Sequence, residues 1–170
     1  LIDDGIPGLY ICGAYQFLGK YYKDADGTTI PGLSIFDLYT ENPGPTHPRL
    51  IGNMVFNPIQ YSTFNILHSI VGFENHGGRT YLGKNIKPFG KVIKGFGNNG
   101  EDGTEGAVYK NSFGTYSHGP ILPKNPQFAD YLIKLALEKK YKKSIQLKPL
   151  DDSIELLAHD AIVKRLTKGI

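Results

Sequence analysis

The sequence has 170 residues, of which 40% are hydrophobic and 21% charged, and a formal net charge of +3. That length suits one domain with a sizeable core, and so mild a charge excludes the clustered basic face of a nucleic-acid binder. One cysteine excludes an internal disulfide framework, and with no long apolar span the chain reads as soluble and cytosolic.

In chain order, Gly8-Leu9-Tyr10-Ile11-Cys12 is a short apolar run that breaks into a helical pattern over residues 13–20, with Ala14, Phe17 and Leu18 on one side. Cys12 is therefore expected where a strand turns into a helix. Strand-like stretches rich in β-branched and aromatic residues follow at 33–40, 49–56, 66–73, 90–96 and 107–116. Asn42-Pro43-Gly44-Pro45 is a turn, and residues 98–103 form a loop too polar and glycine-rich for a regular element.

The remainder is helical. Asn125 precedes Pro126 as cap and first helical position, with Phe128, Tyr131, Leu132, Leu135 and Ala136 as the apolar stripe. Lys139, Lys140, Lys142 and Lys143 close that helix, where cations complement the macrodipole. Asp152 with Glu155 suggests a capping box for a last helix striped by Ile154, Leu157, Ala161 and Ile162. A strand-to-helix start, a strand-rich middle and terminal helices predict one α/β layered domain over residues 1–170. The chain opens at Leu1 without methionine and reads as a fragment or a processed piece.

A thiolate is the reactive form of cysteine, and a following helix N-terminus is expected to lower the Cys12 pKa. A sharp strand-to-helix turn would also aim the Gly13 N–H at the oxygen of an attacked carbonyl. The bland reading of a lone cysteine is a small buried hydrophobe. Acyl transfer needs a base as well, and five histidines compete for that role. His47 lies in a turn, His68 in an apolar strand and His159 on the last helix beside Asp160, each with an easy structural explanation. His118 follows Phe113-Gly114-Thr115-Tyr116-Ser117 and precedes Gly119-Pro120, a strand end opening into a loop, where open α/β sheets carry their chemistry. His76 lies in the glycine-rich stretch 72–80, where backbone can approach a ligand. Cys12, His76 and His118 match no compact zinc spacing, so no metal is expected.

Three segments together resemble the CobB/CobQ-like (cobyric acid synthase-like) glutamine amidotransferases: Ile11-Cys12-Gly13-Ala14-Tyr15-Gln16-Phe17-Leu18-Gly19, Gly72-Phe73-Glu74-Asn75-His76-Gly77-Gly78-Arg79-Thr80, and Gly114-Thr115-Tyr116-Ser117-His118-Gly119-Pro120. The resemblance implies a class I amidotransferase fold, a flavodoxin-like three-layer sandwich with a mixed central sheet whose N-terminal strands lie outside this chain. It implies Cys12 as nucleophile, His118 as base and acid, and Gly13 N–H as an oxyanion donor. Arg79 would anchor the α-carboxylate of glutamine, with Gln16, His76 and Asn75 beside the substrate.

The likeness is greatest to the branch that forms the glutaminase subunit of lipid II isoglutaminyl synthase. That branch implies a heterodimer with a MurT-like Mur ligase subunit, which uses ATP and magnesium to amidate the D-glutamate of lipid II. This chain would need no cofactor and would work in the cytoplasm near the inner face of the membrane. Many relatives carry a glutamate two residues after the histidine, where this sequence has Pro120; the resemblance then implies an aspartate supplied by the partner. The second oxyanion donor would come from an upstream loop. Two other readings share these residues: amidation of cobyrinate or another acid, and a non-catalytic glutamine-binding module.

Overall fold

A computed structural model describes residues 1–60 and 68–168. The chain enters as strand β1 (Gly8–Ile11), turns at Cys12 and continues as the five-residue helix α1 (Gly13–Phe17). A short hairpin, β2 (Tyr21–Lys23) and β3 (Thr29–Pro31), precedes β4 (Leu38–Glu41). Then come β5 (Leu50–Pro58), β6 (Ile70–His76), β7 (Arg79–Leu82), β8 (Gly90–Lys94) and β9 (Thr104–Glu105). The hairpin β10 (Ala107–Tyr109) and β11 (Ser112–Thr115) leads to helices α2 (Ile121–Lys124), α3 (Pro126–Tyr141) and α4 (Ser153–Thr167).

Among the described residues these strands form three sheets, ordered β1-β11-β10, β3-β2-β4-β7 and β6-β5-β8-β9. The first is mixed, as expected: β1 and β11 run parallel with Ile11 opposite Thr115, while β10 is antiparallel to β11. Side-chain alternation gives this sheet two apolar faces. Leu9, Ile11, Val108 and Phe113 pack with Met54, Phe56, Ile70, Phe89, Ile121 and Phe128, beneath α2 and α3. Tyr10, Cys12, Ala107 and Tyr109 pack on the opposite side with Tyr15, Leu18, Phe36, Leu38, Ile86 and Tyr116. A sheet filled on both sides is the layered α/β arrangement that the element order predicts.

Several expectations are corrected. The stretch 33–40 is strand only from Leu38 onward, and the two strands of the β2–β3 hairpin fall in a region with no strand expectation. The stretch 107–116 is two strands, broken at Lys110, whose φ of 53° makes the tight reversal. The stretch 66–73 begins outside the described residues; the strand there is β6, which extends to His76. His68 is exposed in a bend before that strand, not inside it.

Pro126 does open α3, but the Asn125 side chain does not cap it. Its amide accepts from Val71 N–H (2.9 Å) and donates to the Val71 and Ile121 carbonyls (2.9 and 2.6 Å), sewing α2 to β6. Nor does Asp152 form a capping box; Asp151 accepts the Ser153 N–H instead, at 3.1 Å. In α4 the expected stripe faces outward, with Ile154 77% and Leu157 73% exposed, and His159 is the buried residue, bonded through Nδ1 to the Lys124 carbonyl (3.0 Å).

Candidate active site

Cys12 has φ 54° and ψ −111°, a left-handed backbone that costs a non-glycine residue of the order of 1–3 kcal/mol and persists only where surroundings enforce it. Here they do. The Cys12 N–H donates to the Thr115 carbonyl (2.9 Å), extending the β1–β11 ladder by one residue, and the Cys12 carbonyl accepts the Gln16 N–H (3.0 Å) to start the helix. A residue that closes a strand and opens a helix at once turns sharply, as the sequence predicts for a nucleophile elbow.

The Cys12 thiol is pushed above its ordinary value by burial; the Gly13 N–H and the Arg49 charge pull it back only in part. The net shift is thus upward rather than the lowering expected from a helix N-terminus, because desolvation outweighs the Gly13 N–H and the Arg49 charge.

His118 lies at the same edge. The parallel register puts Cys12 one step beyond the Ile11–Thr115 pair, and after β11 ends at Thr115 the chain runs through Tyr116 and Ser117 to His118. A bridge to Phe73 secures the backbone there: His118 N–H donates to the Phe73 carbonyl at 2.7 Å. Its Nε2 is buried with no hydrogen-bond partner among the described residues. Burial, followed by the nearby His76, lowers its pKa from the ordinary 6.5. These directions favour a neutral imidazole at His118 and a neutral thiol at Cys12 near pH 7.

Other predicted site residues take different posts. His76 is 2% exposed; it stacks flat on Tyr116 (centroids 3.6 Å apart, 5° between planes) and its Nδ1 donates to the Gly78 carbonyl at 2.7 Å. Its Nε2 is 3.5 Å from Glu74, a buried carboxylate that accepts the Phe96 and Gly97 N–H groups at 2.7 and 3.0 Å. His76 is a packing and hydrogen-bonding partner behind the site, at the end of a strand rather than in a loop.

Arg79 spends Nη1 on the Gly77 carbonyl and Nη2 on the Pro48 carbonyl, both at 2.7 Å. With its fork committed to backbone it holds the turn in place. Arg49 carries no mark of function in the sequence. It is exposed, close enough to Cys12 to act on its ionisation, and fixed by Asn75, whose side chain accepts from Nε (3.0 Å) and whose carbonyl accepts from Nη2 (3.2 Å). Asn75 thus bears on the site through Arg49. The only signal for Arg49 in the sequence is its place after the turn at Pro48, which does not tell one arginine from the other.

Gln16 lines a pocket of about 220 Å³ with Gly13, Phe17, Tyr22, Ile30 and Gly32. A second cleft, of about 400 Å³, runs past Arg49, His47, Pro48, Asn42 and Gly77. Among the described residues no group of three or more His, Cys, Asp or Glu is placed to hold a metal ion, and no helix is long and apolar enough to cross a membrane.

The sequence matches the CobB/CobQ-like glutamine amidotransferase domain over residues 1–126. It is 48% identical over 167 residues to the lipid II isoglutaminyl synthase (glutamine-hydrolyzing) subunit GatD of Staphylococcus aureus, covering 98% of this chain and 64% of that protein. The subunit of the same name from Streptococcus pneumoniae is 44% identical over 150 residues, 88% of this chain and 55% of that one. A probable cobyric acid synthase of Methanothermobacter thermautotrophicus is 33% identical over 87% of this chain but only 29% of its own length. The chain thus spans less than two thirds of these relatives. With the domain match covering residues 1–126, and an elbow cysteine and a histidine at the shared edge of two parallel strands, the chain belongs to the CobB/CobQ-like glutamine amidotransferase family.

Proposed function

We propose that this domain is the glutaminase part of a lipid II isoglutaminyl synthase, and that residues 1–170 act as one catalytic unit. The observation that carries the chemistry is the enforced left-handed turn at Cys12 at the sheet edge where β11 delivers His118. Identity of 48% and 44% to subunits named for glutamine hydrolysis, against 33% to a cobyric acid synthase, favours the lipid II role over a corrinoid one.

In this mechanism His118 takes the Cys12 proton as sulfur attacks the carboxamide carbon of glutamine. The Gly13 N–H, which eases the thiol pKa downward at rest, donates to the oxyanion. The imidazolium then protonates the departing nitrogen; the C–N bond breaks, ammonia leaves and a γ-glutamyl thioester remains. Water, deprotonated by His118, attacks the thioester, and glutamate leaves with the thiol restored. Arg49, rather than Arg79, pairs with the substrate α-carboxylate, since its Nη1 donates no hydrogen bond among the described residues and its plane is already set by Asn75. Gln16 completes the substrate pocket.

Ammonia then passes to a MurT-like Mur ligase subunit, which uses ATP and magnesium to amidate the D-glutamate of lipid II, in the cytoplasm near the inner membrane face. That partner supplies the acid which Pro120 does not. The test uses the complete two-subunit enzyme: Cys12→Ala should abolish glutamine-dependent amidation and glutamate release while amidation from added ammonium persists. Glutamate release that survives the substitution refutes the assignment.

A further inference from the structure

One buried element of the site has no part in the chemistry above. Three hydroxyls, from β4, β7 and the residue after β11, form a continuous chain: Thr40 Oγ1 lies 2.8 Å from Thr80 Oγ1, which lies 2.6 Å from the Tyr116 hydroxyl. All three residues are fully buried. The chain ends at Gln16, whose Nε2 donates to the Tyr116 oxygen at 2.9 Å. Gln16 is the only one of the four that reaches the pocket beside Gly13.

A carboxamide presents a donor at one end and an acceptor at the other in almost the same shape, so a pocket gains no directional contact from it until something selects its orientation. Tyr116 carries a single hydroxyl proton. The Gln16 NH2 is turned inward and donates to the Tyr116 oxygen, which leaves the Tyr116 proton to the threonine hydroxyls behind it. The Oε1 acceptor then faces the pocket, and it takes no hydrogen bond among the described residues. Rigidity comes from the stack: the Tyr116 ring is held flat against His76 at 3.6 Å, and His76 is tied to the Gly78 carbonyl. Space is equally restricted, since a Cβ on Gly78 would stand 3.0 Å from Gln16 Nε2 and 2.6 Å from Thr40 Cγ2. Burial also holds the Tyr116 phenol protonated, well above its ordinary range.

We infer that Tyr116, backed by Thr80 and Thr40, is a positioning residue that fixes Gln16 with its carbonyl oxygen toward the pocket, where it accepts an N–H of bound glutamine. Tyr116 never touches the substrate; it acts through Gln16. The inference rests on the glutaminase reading and adds to it a determinant of substrate affinity two residues before the catalytic histidine. The chain crosses β4 and β7, so it also ties the second sheet to the substrate pocket.

A double-mutant cycle in the two-subunit enzyme tests it, with glutamate release as the readout. Tyr116→Phe keeps the ring on His76 and removes only the hydroxyl. It should raise KM for glutamine by about three- to tenfold, the span of one hydrogen bond, and raise it more than it lowers kcat. In a Gln16→Ala background the same change should have no further effect on KM. Thr80→Val should reproduce part of the loss, and Thr80→Ser, which keeps the hydroxyl, should restore it; this pair serves if Tyr116→Phe does not fold. Independent effects of Tyr116→Phe and Gln16→Ala, or an unchanged KM in both Tyr116→Phe and Thr80→Val, overturn the inference. A wild-type enzyme that releases no glutamate would instead overturn the glutaminase reading itself.

Discussion

Glu105 gives the sharpest quantitative test of how this fold holds its catalytic edge. Its side chain is wholly buried; Oε1 accepts the Thr115 hydroxyl (2.6 Å) and the Tyr116 N–H (2.8 Å), while Oε2 has no partner among the described residues. Burial, the largest influence, raises its pKa from 4.5 to about 7 against the pull of those two bonds. In the unfolded chain the carboxyl ionises near its ordinary value. Between pH 4.5 and about 7 the folded protein therefore retains a proton that the unfolded chain has lost, and stability falls as pH rises through this window. The full loss is about 3 kcal/mol, complete above about pH 8. Glu105→Gln mimics the protonated form and removes the dependence. Urea unfolding of both proteins at pH 4, 5, 6, 7 and 8 should show wild type losing about 3 kcal/mol relative to the variant across the series. Parallel curves, with a constant gap at every pH, would refute the reasoning.

Three further outcomes follow from the site. Because burial and His76 lower the pKa of His118 from 6.5, its base form persists to lower pH, and the acid limb of kcat/KM should have its midpoint below 6.5; a midpoint above 7 contradicts the neutral pair. Gly72→Ala puts a Cβ 1.7 Å from Ser117 Oγ and 3.3 Å from the His118 carbonyl, so it should cost about 1–3 kcal/mol in unfolding experiments and lower kcat by displacing the histidine strand; wild-type values of both would show that β6 does not seat His118. Arg79→Lys, which loses the two-pronged grip on the Gly77 and Pro48 carbonyls, should lower the melting temperature by a few degrees, read by calorimetry, with a smaller effect on KM than Arg49→Lys.

The parts of the site that the sequence makes legible are those set by local chemistry. Cys12 and His118 stand out because each ends a strand-like run against a glycine, and a short apolar strand before a helical pattern admits only a tight turn. Pro126 marks the start of α3 because its missing N–H fits the first helical position. The rest depends on distant groups. Whether a guanidinium is available to a ligand depends on which carbonyls lie within reach: Pro48 and Gly77 take up Arg79, and nothing in the spacing of the two arginines foretells that. Asn125 has the residue type of a cap, but Val71 offers both a donor and an acceptor at bonding distance, a better bargain than one helical N–H. In α4 the face that meets the protein is the one with His159, whose bond to the Lys124 carbonyl comes from tertiary packing and leaves no trace in the apolar period.

Under the proposed reading, Arg49 would link substrate binding to the charge state of Cys12. At rest it is the cation that draws the thiol pKa down, opposing burial. A glutamine α-carboxylate paired with that guanidinium would cancel most of its field, so the substrate complex would hold Cys12 even more firmly as a thiol. In that complex the proton would leave only as sulfur bonds to carbon with His118 in position. Arg49→Ala in the free enzyme should therefore move the midpoint of Cys12 alkylation by iodoacetamide further above the ordinary 9.0, and saturating L-glutamate should move the wild-type midpoint in the same direction. With Cys12 the single cysteine of the chain, alkylation can be followed by intact mass without ambiguity. An Arg49→Ala midpoint equal to or below that of wild type would show that Arg49 does not act on the sulfur, and with it would go the proposal that this residue, rather than Arg79, receives the carboxylate.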